Sequence, residues 1–376
     1  MPTLSEQCAL GLERADAQHL RRVLRTHGRV DGSSVEIMLD GARYVSFAAN
    51  DYLGLRDDPR VIEAGRAALL AYGAGAGASR LVTGNHALYA LLEAKLAAMK
   101  GVEAALVFGS GYLTNLGVIP ALMDKGDVIF ADKLVHACII DAAQLSGARL
   151  LRFAHNDMAH LAALLKEHRG DSTNALIVTD HVFSMDGDVA PLAEIAALAK
   201  LHDAWTMADD AHGLGIVPAA APVDLWMGTL SKAAGGYGGY VVAAQVIIDF
   251  LITKARSFVF STGLPPSVCA SALAALEVME AEPQRAARAL ALAQRVTQAL
   301  GLPLAQSAVV PVILGTAEAA LAAQEALKNH GLLAVAIRPP TVPPGTARLR
   351  LAFSAAHTDA QVEALIAALK ELPCAR

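Results

Sequence analysis

Between residues 104 and 229 short apolar runs alternate with stretches of helical length and period, and this alternation limits the chain to few folds. The runs are 104–108 (A-A-L-V-F), 127–131 (D-V-I-F-A), 148–152, 175–179 (A-L-I-V-T), 204–208 (A-W-T-M-A) and 225–229. Helical periodicity fills 86–100, 112–123, 136–146, 157–168 and 191–202. Strands joined by helices of this length pair in parallel, through crossover connections. Runs apolar throughout predict strands buried on both faces. The stretch 240–252 reads as one more strand running into a buried helix, and it is too short to cross a bilayer. The fold class is therefore α/β, with a large, mostly parallel sheet.

The flanks differ. Residues 1–28 read as an amphipathic helix carrying Leu10, Leu20 and Leu24, followed by a polar break at 28–34. Residues 36–47 alternate about Asp40-Gly41 as a hairpin does. Past 265 come a long Ala/Leu helix over 266–300 interrupted at Pro283, strands at 308–314, 332–337 and 347–353, a Pro-rich loop at 338–345 and a last helix at 359–372. These predict a smaller α+β domain. The expected division is 1–48 for the N-terminal helix and hairpin, 49–270 for the large domain and 271–376 for the small one.

Composition bears on partners. Hydrophobic residues make up 54% of the 376 and charged residues 18%, so a substantial core is available. The net charge is −5 and no basic run occurs, which argues against nucleic acid and membrane surfaces. Cys8, Cys138, Cys269 and Cys374 lie far apart, a spacing that predicts reduced thiols and no zinc site. The first residues lack a basic flank and apolar block, so a cytoplasmic protein is expected.

In open α/β sheets ligands bind beyond the carboxyl ends of the strands, so the residues after each run matter most. They are Gly109-Ser110-Gly111-Tyr112, then Asp132 to His136, Asp180 to Asp188, Asp209-Asp210-Ala211-His212 and Leu230-Ser231-Lys232. Glycines at a strand-to-helix turn let backbone amides face an anion. Neither G-K-[ST] nor G-x-G-x-x-G is present, which excludes a Walker loop and a nicotinamide site. A lone lysine is usually a solvated cation. Lys232 instead sits at a strand end among small and apolar residues, where an amine becomes a nucleophile. Asp209 and His212, three apart, fall on one side of a helical turn; the plain alternative is an N-cap acid with a surface histidine. A glycine turn sized for phosphate, a lysine, an acid and an imidazole together suit pyridoxal 5′-phosphate. A charge pair at about 4 Å is worth roughly 4 kcal/mol at an effective dielectric near 20. An acid at 209 would thus hold a pyridine nitrogen protonated.

The ordered set N50-DYLGL55, G109-SGY112, His136, S184-MDGD188, D209-DAHG213, T229-LSK232, S261-TGLPP266 and R338-PPTVPPGTARLR350 resembles the α-oxoamine synthases, over essentially the whole chain. These are fold-type-I pyridoxal-phosphate enzymes, aspartate aminotransferase-like, that condense an amino acid with an acyl thioester and release carbon dioxide. The resemblance implies that Lys232 forms the Schiff base, Asp209 meets the pyridinium, and His212 meets the phenolic oxygen, which Ser184 also reaches. It implies His136 against the ring face and Ser110, Gly111, Tyr112 and Thr229 around the phosphate. Thr262 would reach the phosphate of a neighbouring subunit in a homodimer. Arg350 would bind the amino-acid carboxylate, with Arg21, Asn50 and Thr341 near the acyl substrate or the reacting centre. Within the family, the 338–350 stretch points to L-alanine and a pimeloyl thioester, carried on coenzyme A or an acyl-carrier protein. A glycine-using relative and a non-catalytic scaffold subunit are the alternatives. Tyr89 stands where relatives often carry histidine, and the 213–228 segment is short.

Overall fold

The computed structural model describes residues 2–17, 20–219 and 221–372. It opens with helix α1 (Leu4–Ala17), which buries none of its residues. The helix expected over 1–28 therefore stops early: Leu20 and Leu24 are exposed and lie outside it. Without a surface to pack against, its apolar stripe gains nothing from further turns. Strands β1 (His27–Val30), β2 (Ser33–Leu39) and β3 (Ala42–Ser46) then pair antiparallel in order. The β2–β3 turn is the Asp-Gly pair, with φ of 51° at Asp40 and 79° at Gly41, as a two-residue hairpin requires.

The body follows as α2 (Pro59–Tyr72), α3 (Ala87–Lys100), β4 (Ala104–Phe108), α4 (Gly111–Leu122), β5 (Val128–Asp132), α5 (Ala137–Ser146), β6 (Arg149–Phe153), α6 (Met158–His168), β7 (Ala175–Asp180), α7 (Leu192–Leu201), β8 (Trp205–Asp209), β9 (Leu225–Thr229), β10 (Gly239–Ala243) and α8 (Gln245–Lys254). Only α2 escapes the periodicity reading, although Asp58 caps it through the amide of Arg60 and Pro59 starts it. The seven strands lie in the order β4-β10-β9-β8-β7-β5-β6. Strands β5 to β9 pair in parallel, whereas β10 runs antiparallel to both β4 and β9. Both sheet faces are covered. On β4, Ala105 and Val107 join the core with Leu92 and Leu96 of α3; Leu106 and Phe108 join the core with Val118 and Ile119 of α4.

The remainder comprises α9 (Arg256–Val259), α10 (Pro266–Ala281), α11 (Gln284–Ala299), β11 (Val309–Gly315), α12 (Ala317–Asn329), β12 (Leu332–Leu333), β13 (Val335–Ile337), β14 (Ala347–Ala352) and α13 (Asp359–Lys370). The apolar run 332–337, expected as one strand, splits at Ala334. Its first half extends the β1–β3 sheet and its second half joins β11 and β14. This sheet is fastened to the loop after β7. Ser307 Oγ donates to the Gly187 carbonyl (2.7 Å), and a Cβ on Gly187 would lie 2.1 Å from the Val309 oxygen. Cys8, Cys138 and Cys269 carry free thiols, and Cys374 lies outside the described residues. Among those residues no helix is long and apolar enough to cross a membrane.

Candidate active site

The parallel strands deliver their polar ends to one rim. At the end of β4, Ser110 caps α4: its hydroxyl accepts from the Leu113 amide (3.2 Å). The amides of Gly111 and Tyr112 head the helix and have no acceptor inside it. Glycine keeps this turn open: a Cβ at 111 would crowd Met227 Cε at 3.1 Å and Thr229 Cβ at 3.3 Å. Across from them the Thr229 hydroxyl donates to the Gly238 carbonyl (2.8 Å) beside Ser231 Oγ (2.8 Å). An anion seated here meets the positive end of α4. The Tyr112 ring is exposed and its hydroxyl bonds to Asp141.

Strand β8 ends in two acids that turn different ways. Asp209 accepts from Asn115 Nδ2 (3.0 Å) and from the Ala211 amide (2.9 Å). The Asn115 amide also meets Cys138 Sγ (3.0 Å), and its buried Oδ1 has no partner among the described residues. Cys138 Sγ lies 2.9 Å from His136 Nδ1, which caps α5. The His136 amide donates to Asp180 Oδ1 (3.2 Å). Asp180, register partner of Asp209, is pushed well above the usual carboxylate range by burial and then by the charge of Asp209. Asp210 instead bonds His181 Nδ1 (2.6 Å) and Lys100 Nζ (2.5 Å), with that ammonium 4.6 Å above the Trp226 ring.

The amine of Lys232 lies 2.8 Å from His212 Nε2. Burial, opposed by the charges of Asp209 and Asp180, lowers the lysine below its ordinary value. Burial and then the charges of Lys232 and Arg350 push His212 well below the imidazole range, which favours the neutral ring. Its Nδ1 lies 2.6 Å from the hydroxyl of fully buried Tyr52. That hydroxyl donates to Asn50 Oδ1 (3.0 Å), which also accepts from Arg350 (3.1 Å). Arg350 further donates to the Ser184 carbonyl (2.5 Å) and its guanidinium lies 3.3 Å from Tyr52 Oη.

A cavity of about 260 Å³ collects Ser110, Gly111, Tyr112, His136, Asp209, His212, Thr229 and Lys232. Eight of the residues singled out from sequence thus share one space. Asn50, Ser184 and Arg350 stand behind it, joined through Tyr52. The others lie elsewhere on this chain. Thr262 is exposed and bridges to Ser79, Thr341 is exposed in the Pro-rich loop, and Arg21 pairs with Asp16 on the surface. Tyr89 is buried under the Arg80 guanidinium (3.8 Å) and bonds the Leu264 amide, a packing role. A larger cavity of about 350 Å³ beside Arg80 and Glu93 holds no comparable amine or imidazole; those two charges pair at 2.5 Å.

Four residues of the site escaped sequence reasoning: Tyr52, Asn115, Cys138 and Asp180. Tyr52 and Asp180 lie inside stretches already singled out, N50-DYLGL55 and the residues after β7. Asn115 sits four after Gly111, hence on the same helix face. Cys138 carries no signal that separates it from a core cysteine.

The aminotransferase class I and II family profile matches residues 42–369. An 8-amino-7-oxononanoate synthase of Methylobacterium nodulans is 59% identical over 374 residues, covering 100% of this chain and 98% of that protein. Among solved structures, a serine palmitoyltransferase holding pyridoxal phosphate superposes with a TM-score of 0.89 at 30% identity, covering 98% of this chain and 97% of its own. An 8-amino-7-oxononanoate synthase of Francisella tularensis gives a TM-score of 0.73 at 27% identity, covering 87% and 97%.

Proposed function

The chain belongs to the aminotransferase class I and II family, among the 8-amino-7-oxononanoate synthases, and from that premise we propose that it joins L-alanine to a pimeloyl thioester, releasing carbon dioxide, free thiol and 8-amino-7-oxononanoate for biotin biosynthesis. The observation that carries this reading is the buried Lys232 amine, 2.8 Å from the His212 imidazole, in a cavity that also holds Asp209 and the start of α4.

The cofactor is pyridoxal phosphate, and the residues fit it. The free amides at the α4 start, opened by Gly111, suit the phosphate, with Thr229 lining the same space. Asp209, oriented by Asn115 and the Ala211 amide, suits a pyridinium. His136 suits the ring face and His212 the phenolic oxygen. When bound, the cofactor supplies a carbonyl carbon reactive toward amines and a ring that accepts an electron pair.

The chain's residues then divide the work. Lys232 would hold the cofactor through its carbonyl carbon, and its amine, once free, would take the α-proton of alanine. Its lowered pKa makes the neutral amine available nearer neutral pH. Arg350 would pair with the alanine carboxylate through its planar donor fork, and Asn50, bonded to Arg350, would stand near the reacting centre. Ser184 would reach the phenolic oxygen, while its carbonyl fixes Arg350. Thr341 and Arg21 are assigned to the acyl substrate or the reacting centre. The exposed Thr262 serves the phosphate of a second copy in a cytoplasmic homodimer, and coenzyme A or an acyl-carrier protein delivers the acyl chain. Residues 49–270 form the cofactor-binding unit and 271–376 the unit carrying Arg350.

The test is a steady-state assay of the purified yellow protein with alanine or glycine and each pimeloyl thioester. Carbon dioxide release with alanine is expected. Release with glycine alone would replace this reading by the glycine-using one, and a colourless protein with no borohydride-trapped adduct at Lys232 would support a scaffold.

A further inference from the structure

The hydrogen-bond chain behind Lys232 has a direction, and Arg350 sets it. A guanidinium has only donors. The Asn50 atom that faces Arg350 must therefore be its oxygen, which only accepts. The Tyr52 hydroxyl is 3.0 Å from that same oxygen and is oriented to donate its single proton there. Two lone pairs remain on the tyrosine oxygen. One faces Arg350 at 3.3 Å and the other faces His212 Nδ1 at 2.6 Å. With its proton already committed, the tyrosine can only accept from the imidazole. His212 then carries its proton on Nδ1, and Nε2 accepts from the Lys232 amine at 2.8 Å.

We infer that Tyr52, with Asn50, is a positioning residue that fixes the His212 tautomer in the cofactor-free protein, so that Lys232 is held as a hydrogen-bond donor with its lone pair free for the incoming cofactor carbonyl. The opposite tautomer would place an N–H against Lys232 and occupy that lone pair. Every valence of the Tyr52 oxygen is used, and the side chain is wholly buried, so no water competes for the proton. The arrangement also joins the carboxylate site to the amine. A substrate carboxylate drawing Arg350 away from Asn50 and Tyr52 removes the donor that polarises the chain. The inference rests on the reading of Lys232 as the reactive amine; the tautomer itself is measurable whether or not the enzyme turns over.

The experiment is nitrogen NMR of the full chain labelled with ¹⁵N-histidine, recorded free of cofactor and again after pyridoxal phosphate is added. The wild type is expected to show His212 protonated at Nδ1 in the cofactor-free state. Tyr52→Phe leaves that N–H without an acceptor and should move the proton to Nε2, a shift in tautomer ratio of about tenfold or more. Asn50→Ala frees the tyrosine proton for Nδ1 and should give the same shift with the tyrosine in place. Asn50→Asp keeps an acceptor and should restore the wild-type tautomer. Thermal unfolding checks each fold, and Asn50→Ala carries the test if Tyr52→Phe does not fold. An Nε2-protonated wild type, or a tautomer unmoved in both Tyr52→Phe and Asn50→Ala, overturns the inference. Cofactor colour that never develops would instead count against the proposed function.

Discussion

From the end of β8 two clusters of buried ionisable groups diverge, one at Asp210 and one at Asp209. Asp210 spends both oxygens on side chains of its own chain, the Lys100 ammonium and the His181 ring, and that cluster is closed. Asp209 bonds an asparagine and a backbone amide instead, while the nearby amine of Lys232 leans on an imidazole. Adjacent residues of one type thus serve stability and binding respectively. What separates them is whether the neighbouring cation is used up by the fold or left for a ligand.

Replacing Lys232 by alanine tests that contrast most severely. Turnover should fall by several orders of magnitude, as loss of a nucleophile does, with little change in unfolding midpoint. A near-normal rate would sink the contrast. Asp210→Ala should do the reverse. It strands Lys100 and His181 in the interior and should cost about 3–5 kcal/mol in urea titration, while cofactor added to the folded fraction still binds. Arg350→Ala should raise KM for alanine roughly 10- to 100-fold, the range for a lost charge-assisted bond, with a smaller change for the thioester. An unchanged KM would remove Arg350 from carboxylate binding.

The smallest effect is a slope. Lys232 titrates below its ordinary value of 10.5 because burial penalises its charge. Between the lowered value and 10.5 the unfolded chain binds more protons than the folded one. Stability of the cofactor-free protein should therefore rise with pH across that window, by at most about 1.4 kcal/mol per unit. Lys232→Met should flatten the rise. A slope that persists in this variant belongs to other groups.

The sequence displayed the part of the site that sits directly on strand ends. Asp209, His212 and Lys232 were legible because charge after an apolar run has no use in a core. Tyr52, Asn115 and Asp180 were not read because they act through other residues, and a buried tyrosine or asparagine in a sequence looks like packing. In the sheet, strand positions followed from burial on both faces, but the direction of β10 did not. The short link 230–238 carried that information, since a parallel return needs a crossover of a dozen or more residues. The extent of α1 failed for a different reason. Periodicity reports a face that could be buried, and on this chain nothing covers it.

The fastening of the 184–187 loop restricts how the protein can be recombined. Gly187 sits at a φ of 73° against the Val309 carbonyl, Ser307 bonds its oxygen, and Arg348 and Arg350 hold Asp186 and the Ser184 carbonyl. A chimera that takes its C-terminal third from a relative inherits half of this latch. Such grafts should succeed only when the 184–187 tetrapeptide travels with the donor segment, so the practical unit of exchange is discontinuous in the chain.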